Sequence, residues 1–191
     1  MKLILASTSP FRKAILDKLG IEFDTASPET DETALVNESP QALVERLSIA
    51  KAKAIADMVD NALVIGSDQV SVIDGEIMGK PRTHENAIKQ LQKASAKTVT
   101  FYTGLCLYNA ATGQYQSEVV PFNVVFRELD DRLIEAYLKK ETPYNCAGSF
   151  KSEALGIVLF DKLVGEDPNT LMGLPLIRLV KMLEKEHFSI I

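Results

Sequence analysis

At 191 residues, 46% of them hydrophobic, the chain is long enough to bury a substantial core as one domain. A formal net charge of -5 argues against a nucleic acid partner, because surfaces that neutralise a polyphosphate backbone carry an excess of Lys and Arg. A small phosphorylated ligand is not excluded, since a few cations gathered in one cleft make a local positive field.

The first element reads as a short apolar strand, Lys2 to Ala6. Ser9 and Pro10 supply an N-cap and a first-turn proline, and Gly20 ends the helix that follows. The chain is polar and acidic from Ile21 to Asn37. Ser39-Pro40 repeats the start signal for a second helix, with Leu43, Leu47, Ala50 and Ala54 along one face. Ala62 to Gly66 is an apolar run of strand length that emerges at Ser67-Asp68-Gln69. An Asp74-Gly75 turn then predicts a hairpin. Thr83 caps a helix to about Ala96, Val99–Asn109 and Gln114–Phe126 form a long hairpin, and Asp130 caps a helix to about Lys140. A Gly/Ser-containing loop through Glu153, a strand near Ile157 to Leu163, a turn over 165–169 and an amphipathic helix to about Glu186 complete the chain. Crossovers and hairpins together predict an α/β fold with a mixed sheet and flanking helices.

Two cysteines, Cys106 and Cys146, are too few for a disulfide framework and read as reduced structural thiols. The run Leu3–Ala6 is shorter than a signal-peptide core of ~7–15 residues, and no stretch reaches the ~18 apolar residues that span a bilayer. The expectation is a soluble cytoplasmic protein.

Ser7, Ser9, Arg12 and Lys13 at a helix start supply hydroxyls, free N–H groups and cations, which suits phosphate and equally suits a plain N-cap with a solvated basic turn. Asp68, at a strand end, reads as a catalytic carboxylate or as a turn cap. Asp31 and Glu32 read as oxygen ligands for Mg²⁺ or Mn²⁺ or as solvated surface. Lys51, Lys80 and Lys151 sit near segment boundaries or on polar faces. Together these groups provide what phosphoryl hydrolysis requires: ligands for a hard metal, a base for water and cations for phosphate. His84 and His187 both lie in polar, apparently helical contexts, which leaves a carboxylate as the base. The Walker pattern is absent, which excludes an ordinary P-loop NTPase.

The segments Leu-Ala-Ser7-Thr-Ser9-Pro-Phe11-Arg12, Asp31-Glu32-Thr33, Arg46-Leu47 through Lys51-Ala52, Gly66-Ser67-Asp68, Gly79-Lys80-Pro81, Phe101-Tyr102-Thr103-Gly104 and Asp167-Pro168 through Gly173-Leu174-Pro175 resemble, in order, the Maf family of nucleoside triphosphate pyrophosphatases. The resemblance implies a single domain over 1–191 with a fold similar to inosine triphosphatase, two lobes around a central cleft, a divalent cation, cytoplasmic location and often a homodimer. It implies Asp68 as proton acceptor and, with Glu32, metal ligand, and Ser7, Ser9, Arg12, Lys51 and Lys80 as phosphate-binding residues. Where the pyrimidine-triphosphate branch typically has Arg, Thr and Gln, this chain has Phe11, Gln69 and Glu153, which resembles the branch acting on 7-methyl-GTP. Phe11 would stack on the cationic base and Glu153 would accept its hydrogen bonds. Without the resemblance, Phe11 reads as a core aromatic and Glu153 as a surface carboxylate. Two rival expectations stand beside this one: the same reaction on other nucleoside triphosphates, and a non-catalytic nucleotide-binding regulator, for instance of cell division.

Overall fold

The computed structural model describes residues 1–191. Its sheet has seven strands: β1 (Lys2–Ala6), β2 (Asp24–Ala26), β3 (Ala62–Ile73), β4 (Glu76–Met78), β5 (Thr98–Asn109), β6 (Tyr115–Phe126) and β7 (Phe160–Val164). The spatial order is β2-β1-β3-β5-β6-β7, with β4 paired to β3 off this path. The β1 pairings with β2 and β3 are parallel, whereas β3–β4 and β6–β7 are antiparallel, so the sheet is mixed as expected. The helices are α1 (Pro10–Leu16), α2 (Pro40–Ala56), α3 (His84–Ala94), α4 (Asp131–Glu141) and α5 (Leu176–Lys185). No helix is long and apolar enough to cross a membrane.

The chain divides into two compact units, residues 1–69, 102–120 and 167–191 in the first and residues 70–101 and 121–166 in the second. In the first unit, alternate strand residues enter two different cores, because successive side chains point to opposite faces. Leu3, Leu5, Leu63, Ile65, Leu105 and Leu107 pack with Ile15 and Leu16 of α1 and with Leu179, Met182 and Leu183 of α5. Ile4, Ala6, Val64 and Cys106 pack instead with Ala52, Ile55 and Ala56 of α2. Burial on both faces explains why these strands read as continuous apolar runs. It also raises the Cys106 thiol to about 12, which leaves it an inert core group.

The second unit is centred on four phenylalanines. Phe126, Phe150 and Phe160 stand mutually edge-to-face with ring centroids 4.9 to 5.6 Å apart, and Phe101 meets Phe150 at 5.5 Å. Such offset pairs contribute about 0.5–1.5 kcal/mol beyond their area.

The caps stand where the sequence puts them: Ser9, Ser39, Thr83 and Asp130 each accept a hydrogen bond from the backbone N–H three residues on. Asp74 and Gly75, at φ 51° and 80°, form the hairpin turn. Four expectations are corrected. β3 does not end at Gly66 but runs on to Ile73, so Asp68 lies inside a strand, because β-branched Val70, Val72 and Ile73 continue it toward the pairing with β4. The buried face of α2 is Leu43, Val44, Leu47, Ser48, Lys51, Ala52, Ile55 and Ala56, with Ala50 and Ala54 on its flank. The strand expected over 157–163 starts at Phe160, after a 3₁₀ turn over Leu155–Leu159. His187 lies beyond the end of α5 with φ 55°, outside any helix.

Candidate active site

The site belongs to the first unit and is built on three elements: the β1–α1 turn, the buried face of α2 and the middle of β3. Ser7 is buried, and its Oγ accepts from the Ser9 N–H at 3.1 Å. The Ser9 Oγ in turn accepts from the Arg12 N–H at 3.4 Å. The Arg12 side chain is anchored across the unit, its Nε donating to the Gly173 carbonyl at 2.8 Å. Burial pushes the Arg12 pKa below its ordinary value, against the opposing pull of Asp68 and Glu32.

α2 rests directly on the backbone of β3 and β5. A Cβ at Gly66 would lie 2.1 Å from the Ser48 carbonyl oxygen and 2.7 Å from the Ala52 nitrogen, and one at Gly104 would lie 2.1 Å from the Val44 carbonyl oxygen. Glycine at both places lets the helix approach close enough for Lys51 to reach β3. The Lys51 side chain is 9% exposed, and its ammonium lies 2.7 Å from Asp68 Oδ1 and 2.6 Å from Glu32 Oε1. Asp68 is 13% exposed and Glu32 62%. Two carboxylates thus converge on one cation, with a guanidinium in their field.

The loop that carries Glu32 is fixed by an ion pair. Arg46 Nε donates to Glu38 Oε1 at 2.6 Å, Arg46 Nη2 donates to Glu38 Oε2 and to the Thr33 carbonyl, and the Leu35 N–H donates to Glu38 Oε2. Hydrogen bonds from Arg46, supported by Leu35, hold the Glu38 carboxyl down at about 2, below the ordinary glutamate value of 4.5. The folded value being the lower one, this contribution to stability is full above the ordinary value and is lost as pH falls through about 2. We therefore expect the stability difference between the wild type and Glu38→Gln, measured by urea unfolding, to be constant from pH 7 to 5 and to vanish as pH approaches 2. A difference that persists unchanged at the acid end would remove Glu38 as the anchor. Asp31 is not part of the carboxylate pair: its Oδ1 accepts from the Thr33 N–H at 2.9 Å and shapes the turn, and those hydrogen bonds lower its pKa.

Strand alternation sends the neighbours of Asp68 to a different set of partners. Ser67 Oγ is fully buried, 2.9 Å from the Gly104 carbonyl and 2.8 Å from that of Gly173. Gln69 Nε2 donates to Thr103 Oγ1, to the Thr170 carbonyl and to the Leu171 carbonyl. The amide nitrogen of Gln69 is therefore engaged within the protein. Ser67, Thr103 and the Gly173 carbonyl were not anticipated as site groups. The signals were the polar residues flanking Asp68 inside an otherwise apolar strand and the presence of Ser67, Thr103 and Gly173 in the segments that carry the family resemblance.

Phe11, on the second residue of α1, is 43% exposed, so it is not a core aromatic. In the second unit Lys80 and Glu153 are both exposed. Lys151 is held by α4, its ammonium donating to the Glu141 carbonyl at 2.7 Å, and its N–H donates to the Tyr137 hydroxyl at 3.0 Å. Both ring nitrogens of His84 are engaged, with Tyr144 at 2.9 Å and Glu135 at 2.8 Å.

Fold and site together define a mixed α/β protein whose first unit gathers paired carboxylates and cations suited to an anionic, metal-binding ligand. The chain belongs to the Maf-like protein family, whose model matches residues 2–186. It is 57% identical over 189 residues to a protein of Colwellia psychrerythraea named 7-methyl-GTP pyrophosphatase, a match covering 99% of this chain and 94% of that one. Among solved structures it is similar to the Staphylococcus aureus Ham1 protein (TM-score 0.48, 14% identity, 66% of this chain and 72% of that one). It is also similar to a HAM1 protein from Coxiella burnetii (TM-score 0.49, 15% identity, 66% and 73%).

Proposed function

We propose that residues 1–191 act as one nucleoside triphosphate pyrophosphatase domain, a cytoplasmic hydrolase of acid anhydrides that converts 7-methyl-GTP to 7-methyl-GMP and pyrophosphate. The observation that carries this reading is the convergence of Glu32 and Asp68 on Lys51, in the field of Arg12. The substrate is that named for the Colwellia relative, 57% identical over nearly the whole chain.

In this reading Asp68 takes a proton from the water whose oxygen bonds to the α-phosphorus. The bond from that phosphorus to the bridging oxygen breaks, and pyrophosphate leaves. Arg12, Lys51, Ser7 and Ser9 hold the triphosphate, and the resemblance assigns Lys80 to the same task. The site fits a divalent metal: two hard oxygen donors already converge on a cation, no third His, Cys, Asp or Glu joins them, and Mg²⁺ commonly takes one or two carboxylates with substrate phosphates and water. Glu32 and Asp68 would hold it, and when bound it would neutralise phosphate charge and lower the pKa of water. Phe11 offers an open ring for a cationic base, Glu153 is assigned as acceptor for its N–H groups, and Gln69 bears on base choice through its remaining amide oxygen.

Phosphorus NMR of the products tests the bond that breaks. The expected result is monophosphate and pyrophosphate, with 7-methyl-GTP preferred over GTP, UTP and CTP. Diphosphate and orthophosphate as first products would overturn the reaction, and a preference for another base would overturn the substrate alone. A homodimer, also implied by the resemblance, is read by light scattering of the same preparation.

A further inference from the structure

The Asp167–Pro175 segment is absorbed by none of the roles above, yet its backbone carbonyls meet Arg12, Ser67, Gln69 and Thr103. Asp167 is 2% exposed, and both of its carboxylate oxygens accept from backbone or amide donors. Oδ1 accepts from the Asn169 N–H at 2.8 Å and Nδ2 at 2.7 Å, and Oδ2 accepts from the Ile177 N–H at 2.9 Å. One side chain thereby caps the 3₁₀ turn Pro168–Met172 and also ties down the first turn of α5. The turn closes at Gly173, φ 98°, a left-handed conformation that favours glycine.

What the turn presents is carbonyl oxygen. Gly173 O accepts from Arg12 Nε and lies 2.8 Å from Ser67 Oγ. Thr170 O accepts from Gln69 Nε2 at 2.8 Å and Thr103 Oγ1 at 3.1 Å. The two residues flanking Asp68 and the guanidinium facing it are therefore all attached to this one turn. A Cβ on Gly173 would lie 3.2 Å from Arg12 Nε and 3.4 Å from Nη2.

We infer that the Asp167–Gly173 turn is a positioning element: Asp167 fixes the Gly173 carbonyl, and that carbonyl aims the Arg12 guanidinium at substrate phosphate while Ser67 and Gln69 lock the strand around Asp68. This rests on the pyrophosphatase reading for the identity of the ligand. Guanidinium recognition of phosphate is directional, so misaiming Arg12 weakens binding without removing any group that touches the ligand.

Inorganic pyrophosphate, titrated calorimetrically with Mg²⁺ present, is the probe. Gly173→Ala is expected to weaken its binding roughly tenfold, about what the loss of one charge-assisted hydrogen bond produces. In an Arg12→Ala background the same substitution should cost nothing further, because the two act through one contact. Asp167→Asn, which keeps shape but removes acceptor capacity, should move the ¹⁵N–¹H resonance of Arg12 Nε in the folded protein. Ser67→Ala is the milder variant if Asp167→Asn does not fold, with the same resonance as readout. Equal losses with and without Arg12, or an Arg12 Nε resonance unmoved in every variant, would overturn the inference. A wild-type chain that binds no pyrophosphate would overturn the phosphate reading as well, whereas wild-type binding that Gly173→Ala leaves intact overturns this inference alone.

Discussion

Asp68→Asn is expected to lower turnover of the nucleoside triphosphate at least ~10²-fold, the usual loss for a positioned acid or base, while the protein stays folded. Asparagine matches the size of the native side chain and still offers Lys51 an oxygen, but it neither takes a proton nor carries the charge that draws metal and water together. Folding should survive because Lys51, 9% exposed, keeps Glu32 at 2.6 Å and is not left as a buried charge without a counter-ion. Pyrophosphate release under saturating substrate gives the turnover, and circular dichroism melting gives the fold. Turnover near that of the wild type in the folded variant would remove Asp68 as the base, and a collapsed melting transition would overturn the expectation that Glu32 suffices to keep Lys51 paired.

The second large effect is expected at a residue with no functional group. Gly66→Ala introduces one methyl where the nearest atoms are the Ser48 carbonyl oxygen at 2.1 Å and the Ala52 nitrogen at 2.7 Å, both backbone atoms of α2. No rotamer change relieves such a clash, so the helix must shift. Overpacking of this kind costs about 1–3 kcal/mol, and more where backbone must move. The same shift carries Lys51 away from Asp68, so activity should fall by up to ~10²-fold in whatever fraction remains folded. Gly104→Ala presses on the same helix at Val44, on the N-terminal side of Gly66's contacts at Ser48 and Ala52, and should reproduce both losses. A Gly66→Ala protein with unchanged melting temperature and activity would mean that α2 does not depend on close contact to place Lys51.

Helix starts were legible because capping is local. Ser9, Ser39, Thr83 and Asp130 each act within four residues, and no distant partner changes that outcome. The inner face of α2 was misread because Lys51 looks like solvent-facing lysine, and only its pairing with Asp68 and Glu32 makes its burial affordable. The length of β3 was hidden for a similar reason. Ser67, Asp68 and Gln69 look like the end of an apolar run, yet each is matched by a partner between 17 and 106 residues away, which periodicity does not reveal. The late strand was set too early because Ile157 to Leu159 are apolar enough to read as extended, although they form a 3₁₀ turn. The family-bearing segments located the carboxylates and cations, while the buried hydroxyl and carbonyl network behind them appears only once the chain is folded.

Phe11 stands 43% open on α1, and the chain contains no tryptophan and five tyrosines. An indole at position 11 would be the molecule's sole long-wavelength emitter, at the one aromatic place assigned to the base. Its flat, larger face suits the proposed stacking, so on that proposal ligand occupancy, exchange and competition become readable as light from a single atom group, in a protein otherwise dark beyond tyrosine emission.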